Sequence, residues 1–195
     1  MMNILYEPFP ESIEADGKKY GILTDFREWL GFADMIADRS MTAEERASLC
    51  GMWMDPEPER MTAGMISGLI GFLRGDGLEP DPPEPDEDEE PDEPDMPKPP
   101  VLDFCIDARY ILGDFRRFYQ IDLLKVRYLH WWEFLSLLRA LPDESATMRR
   151  AALRAADLNE IPDKRRRALV AKAQRQIALP FELDDEMIGA MMWNA

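Results

Sequence analysis

Histidine is nearly missing from this chain of 195 residues, which has only His130, and cysteine is scarce, with Cys50 and Cys105 alone. Neither fits a metal-ligand spacing or a disulfide framework, so two reduced and mostly buried thiols are expected. A general base needs an orienting carboxylate and a nucleophile within reach, and nothing near His130 supplies them by spacing. His130 is expected at a helix cap or the edge of a core. There is no phosphate-cradling glycine loop, no Gly-x-Ser-x-Gly elbow and no zinc motif. The sequence therefore points away from an enzyme, with no metal or cofactor expected. Long apolar runs are also lacking. The longest weakly polar stretch, 61–73, is short of the roughly 20 residues a membrane helix needs. Residues 3–8 have neither the basic nor the apolar region of a secretory signal. A soluble cytoplasmic protein without membrane contact is the expectation.

Positive charge is in deficit, with a formal net charge of -16, but the excess is local. Residues 79–100 hold eleven acidic residues, nine prolines and one lysine, and so carry ten of the sixteen excess charges. Such a window cannot build a core, and its self-repulsion and proline stiffness predict an extended, disordered tether. The remaining chain is only mildly acidic, and the 46% hydrophobic content is enough for a core. The expected organisation is an N-terminal hairpin plus helices over 1–78, the acidic Pro-rich linker over 79–100, a helical region over 101–180, and an acidic, Met-rich tail over 181–195. The two flanking regions are either separate or halves of one body.

Periodicity supplies the elements. Asp16-Gly17 accepts the positive φ angles of a tight turn between strands over 12–15 and 18–22. Asp25 with Glu28, and Thr42 with Glu45, have capping-box spacing, and predict helices over 26–38 and about 43–54. A helix over 60–74 carries Gly64, Gly68 and Gly71 on one stripe, suited to close approach by a neighbour. Phe104, Ala108, Ile111, Phe115 and Phe118 repeat at helical spacing. A short loop at 120–122 then leads to a helix ending before Pro142. Asp143 or Ser145 caps a helix to about 156. Pro162 opens a basic helix to about 179, placed in its first turn. The fold class expected is mainly α, a bundle-like body with a small N-terminal β-hairpin.

Two features invite a functional reading. On the helix containing Trp131 and Trp132, residues Trp131, Phe134, Leu135, Leu138 and Leu141 share the core arc, while Trp132 falls opposite, near Ser136 and Arg139. Either a second element such as the hairpin covers Trp132, or it anchors a partner. The other feature is Lys164-Arg165-Arg166-Arg167 with Lys172 and Arg175, joined by Arg149, Arg150 and Arg154 into a positive face. A solvated helix surface, a site for an acidic partner or for the tether, and a phosphate-binding face are its three readings. No recognition-helix or stacking-aromatic pattern supports the last, so nucleic acid is not the expected partner.

Three blocks resemble a bacteriophage family known as gene product fifteen. They are Pro10-Glu11-Ser12-Ile13-Glu14 with Asp16-Gly17-Lys18, Tyr20 and Thr24-Asp25-Phe26-Arg27; Asp103-Phe104 with Asp107-Ala108-Arg109-Tyr110-Ile111, Phe115 and Tyr119-Gln120-Ile121-Asp122-Leu123; and Leu129-His130-Trp131-Trp132-Glu133-Phe134 with Leu141-Pro142-Asp143, 157–164 and Ala178-Leu179-Pro180. The pattern departs from the family at Gln120, where the resemblance implies glycine, in the alanine-rich 151–156, and in the long acidic insert. The resemblance implies a chaperone of long-tail assembly that binds the tape-measure protein and/or the major tail protein, with a homo-oligomer open. It would act in the cytoplasm of the infected or lysogenic host and be absent from the mature virion. A structural virion component, such as a connector or tail-tip adaptor, and a nucleic-acid-associated regulator are the alternatives. Trp132, Arg139, Arg165, Arg166 and Arg167 are the expected partner contacts.

Overall fold

A computed structural model describes residues 3–78 and 100–180. The expected tether and Met-rich tail therefore lie outside the described residues, apart from Pro100. Among the described residues there are seven α-helices and one two-stranded hairpin, the mainly α class expected. They gather into two compact units, 3–78 with 124–140 and 100–123 with 141–180. The tryptophan helix, expected within the region 101–180, packs with the N-terminal elements.

In the first unit, β1 (Ser12–Ala15) and β2 (Lys18–Gly21) pair antiparallel about Asp16 and Gly17, whose φ values of 52° and 73° are those the turn demands. Helix α1 (Phe26–Ala37) starts at Asp25, whose carboxylate accepts the Arg27 N–H; Thr42 and Glu45 form the full capping box of α2 (Ala43–Leu49), which tightens into a 3-10 turn over Cys50–Trp53. Helix α3 (Ala63–Arg74) begins later than its spacing suggested, at the Thr62 cap. Gly64 and Gly68 of its glycine stripe lie on the hairpin, whereas Gly71 faces the Asp76 side chain. A Cβ on Gly68 would come within 3.0 Å of Ile13, and one on Gly64 within 2.8 Å of the Asp16 carboxylate. Glycine here exchanges helix propensity for contact.

Helix α5 (Trp131–Arg139) closes this unit. Its chain enters as an extended strand beside the start of α1, with Phe26 N–H donating to Leu129 O at 2.9 Å and Trp131 N–H to Thr24 O at 2.8 Å. The Phe26 and Phe134 rings stack at 5.1 Å over a core that includes Trp29, Phe32, Leu69 and Phe72. Burying such aromatic surface is the main stabilising contribution available to a unit this small. Cys50 is buried as expected, whereas Cys105 is exposed, in the turns leading into α4.

The second unit contains α4 (Ala108–Asp114), continued by a π-helical turn over Phe115–Tyr119, α6 (Ala146–Ala155) and α7 (Lys164–Ile177). Ser145 caps α6, and the buried Asp114 carboxylate adds acceptors for Ala146 N–H and Thr147 N–H at 3.2 and 2.7 Å. Asp163 caps α7, so Pro162 precedes the helix rather than occupying its first turn. The short loop expected at 120–122 is in fact the longer irregular segment 120–130, because Gln120 ends the π turn in the left-handed conformation, φ 60° and ψ 20°. That conformation favours glycine, the residue the family resemblance implies there. Gln120→Gly is expected to leave stability unchanged or raise it by up to about 1 kcal/mol in urea unfolding, as left-handed strain is relieved against added chain entropy.

Candidate partner-binding surface

The paired tryptophans do not form an outer face. Trp132 is 6% exposed, its ring stacked on Phe72 at 5.2 Å, and its indole N–H donates to Phe72 O at 2.8 Å. Trp131 is 1% exposed and donates to the next carbonyl, Leu73 O, at 2.9 Å. Arg139 donates from Nη2 to the one after, Arg74 O, at 2.9 Å. Three side chains of α5 thus donate to three successive carbonyls in the last turn of α3, where the regular i+4 donors of a helix run out. Gly75, at φ 78°, completes that end. Of the two readings of Trp132, the internal one holds, and the covering element is α3 rather than the hairpin. Trp132, among the expected partner contacts, is placed inside the unit by this packing. Arg139 is exposed but serves as a cap.

His130 occupies the cap of α5, as its position suggested. Its Nδ1 accepts the Trp132 N–H at 3.0 Å, its Nε2 lies 3.1 Å from Pro10 O, and its ring stacks on Phe9 at 4.8 Å. An accepting Nδ1 and a donating Nε2 define one neutral tautomer. Burial pulls the His130 pKa below its usual value, opposed by the Pro10 carbonyl and the Glu11 charge. With the folded value depressed, the unfolded chain binds the extra proton first. The contribution is complete above about pH 6.5 and falls as pH drops through the window below it. Stability should therefore decline as pH falls below about 6.5, and His130→Asn, which keeps a capping acceptor, should flatten that slope in pH-resolved urea unfolding.

The basic residues divide into two groups. Arg150 and Arg154 turn inward, away from the positive face expected of them. The Asp107 carboxylate is fully buried and accepts from Arg150 Nε at 3.1 Å, Arg154 Nη2 at 2.9 Å, Arg154 Nη1, and the Asp103 N–H at 3.2 Å. Arg154, with a side chain 4% exposed, also donates to Val101 O at 2.8 Å and Ile177 O at 2.7 Å. This one guanidinium joins the entry of the chain at 101, the start of α4 and the end of α7. Burial alone would raise the Asp107 pKa, but the Arg154, Asp103 and Arg150 hydrogen bonds outweigh it and hold the carboxyl below its usual range. Sequence reasoning missed Asp107 as the partner; its only signal was its place in the block Asp107-Ala108-Arg109.

Arg165, Arg166 and Arg167 lie together, exposed, on the first turns of α7 with Lys164, and Lys172 and Arg175 are exposed further along. Arg167 leans on Ile161 O through Nε and Nη2, at 2.9 and 2.7 Å. Helix α7 has no fully buried residue and no acid in its first turn. Gln174 ties it down by donating to Leu153 O and Ala156 O, at 3.0 and 2.7 Å, at the end of α6. Four cations at the positive end of a helix oppose its dipole, at about 0.3–1 kcal/mol each at low salt. The Asp163 carboxylate, which accepts the Arg166 N–H at 2.6 Å, offsets part of that cost. Arg165→Glu is accordingly expected to leave the melting temperature unchanged or raise it slightly, while a purely structural role would lower it.

A family model described as Bacteriophage Gp15 protein matches residues 5–179. The chain belongs to that family. No curated protein and no solved structure matches it. As a Gp15 family member this is a bacteriophage protein. The Gp15 match spans both units, and so includes the tryptophan caps, the Asp107–Arg154 cluster and the basic turns of α7. Among the described residues of this Gp15 chain, no helix is long and apolar enough to cross a membrane, and no group of three His, Cys, Asp or Glu side chains could hold a metal ion.

Proposed function

We propose that this bacteriophage protein is a non-catalytic chaperone of tail assembly. It acts in the host cytoplasm, binds the tape-measure protein and/or the major tail protein, and leaves before the virion is complete. The observation that supports this reading is the cationic start of α7, exposed and set against its own helix dipole. Such a surface suits an acidic segment of a protein partner, where helix dipole and guanidinium groups act together. Both nitrogens of the single histidine are engaged in holding α5, consistent with a binding rather than a catalytic role.

Co-expression with the phage's tape-measure and major tail proteins tests the reading, alongside mass spectrometry of purified particles. The expected result is a soluble complex with one of them and no trace of the chain in finished particles. Stoichiometric retention in particles, without a soluble complex, would replace the chaperone with a structural component such as a connector or tail-tip adaptor.

A further inference from the structure

We propose that, in the chain free of its partner, residues 79–99 dock on the exposed basic surface of α7, and that a partner's acidic segment displaces them there. Lys164, Arg165, Lys172 and Arg175 share one side of α7 at about 100° per residue, with Arg166 and Arg167 exposed around its first turns, and the helix contains no acidic residue. The segment supplies the opposite charge in the same molecule, with Asp86-Glu87-Asp88-Glu89-Glu90 its densest run and Asp92, Glu93 and Asp95 following.

The point where the chain leaves the described fold makes this specific. Pro100 lines a cleft of about 290 Å³ together with Arg154, Ala171, Gln174 and Arg175, at the C-terminal half of α7. The next residue is held there, because Arg154 donates both to Val101 O and to Ile177 O. The segment therefore departs beside Arg175.

Reach is sufficient. The fourteen residues of α7 span about 21 Å at ~1.5 Å each. About seven extended residues cover that length at ~3.3 Å each. Asp95 then falls within range of Lys172 and Arg175, and 86–90 within range of Arg165, Arg166 and Arg167. Covalent attachment places the acidic run at an effective concentration on the order of millimolar, so even weak pairing is populated. The first turn of α7 adds its dipole to the same attraction.

The test uses the full chain, isotope-labelled, with Asp88→Cys carrying a spin label in a Cys105→Ser background; Cys50 is buried and stays unlabelled. At about 0.1 M salt, amide peaks of α7 should lose intensity more than those of any other helix. The loss should recover at about 1 M salt, where screening shortens to ~3 Å, and in Arg165→Glu/Arg166→Glu/Arg167→Glu. Uniform intensity loss over all helices, or none at α7, would overturn the proposal. So would a loss that persists when spin-labelled and isotope-labelled molecules are separate chains mixed together, since a second copy would then be the occupant. Neutralising 86–95 to Asn and Gln, with the label kept at 88, should abolish the effect without altering α7.

Discussion

Trp132→Ala is expected to destabilise the protein by about 3–5 kcal/mol, the range for removing a large aromatic side chain from a core. Three losses combine: the buried indole volume, the stack on Phe72 and the hydrogen bond to Phe72 O. Against the 5–15 kcal/mol typical of a whole domain, this puts the variant close to unfolding. Trp132→Phe separates the contributions. It keeps an aromatic ring against Phe72 and removes the indole N–H, while Phe72 O still accepts from Gly75 N–H at 3.1 Å. Its loss should be smaller, with about 1 kcal/mol from the hydrogen bond. Urea unfolding followed by circular dichroism measures both. An exposed partner anchor would behave oppositely, giving Trp132→Ala unchanged stability and weaker binding.

Asp107→Ala is expected to cost a similar 3–5 kcal/mol, for an electrostatic reason. Removing the carboxylate strands the enclosed Arg154 guanidinium without its counter-charge, and breaking one side of a buried pair costs more than the intact pair contributes. The Asp103 N–H loses an acceptor as well. The same cluster predicts an acid limb. Because the folded carboxyl lies below its ordinary value, its contribution is complete above about pH 4 and disappears as pH falls through the depressed folded value. This limb lies lower than the His130 window, so the two separate in one pH series. The Asp107→Ala chain should have a shallower lower limb, since Asp38 and Glu45 are also held below their ordinary values by hydrogen bonds from Ser40 and Thr42, and should keep the upper limb. A loss under about 1 kcal/mol would mean that the cluster is solvated rather than closed.

Local chemistry was the legible part of the fold. Asp16-Gly17 specified its turn because few residues tolerate positive φ, and Thr42 with Glu45 formed the capping box their spacing announced. Trp131, Phe134, Leu135 and Leu138 face the core because a helix period determines which residues share a side. What periodicity cannot say is what lies on the other side. Trp132 is covered by α3, some sixty residues earlier in the chain, and no local signal names that neighbour. Arg150 and Arg154 read as surface charges because arginine usually is one; only the fold brings Asp107 to them. The 120–130 loop was too short in the sequence reading because apolar residues such as Ile121, Leu123 and Leu124 invite a helix, while the left-handed Gln120 stops one. Of the expected partner contacts, Arg165, Arg166 and Arg167 are exposed together, Trp132 is buried against α3, and Arg139, though exposed, caps the end of α3.

The most direct test of α7 as the partner surface is co-purification of the wild-type chain and Arg165→Glu/Arg166→Glu/Arg167→Glu with the co-expressed tape-measure and major tail proteins. The account predicts that the wild type holds one of them at low salt and releases it as salt rises, while the variant, equally folded by circular dichroism, holds neither. A variant that binds as well as the wild type at every salt concentration would contradict the role given to α7.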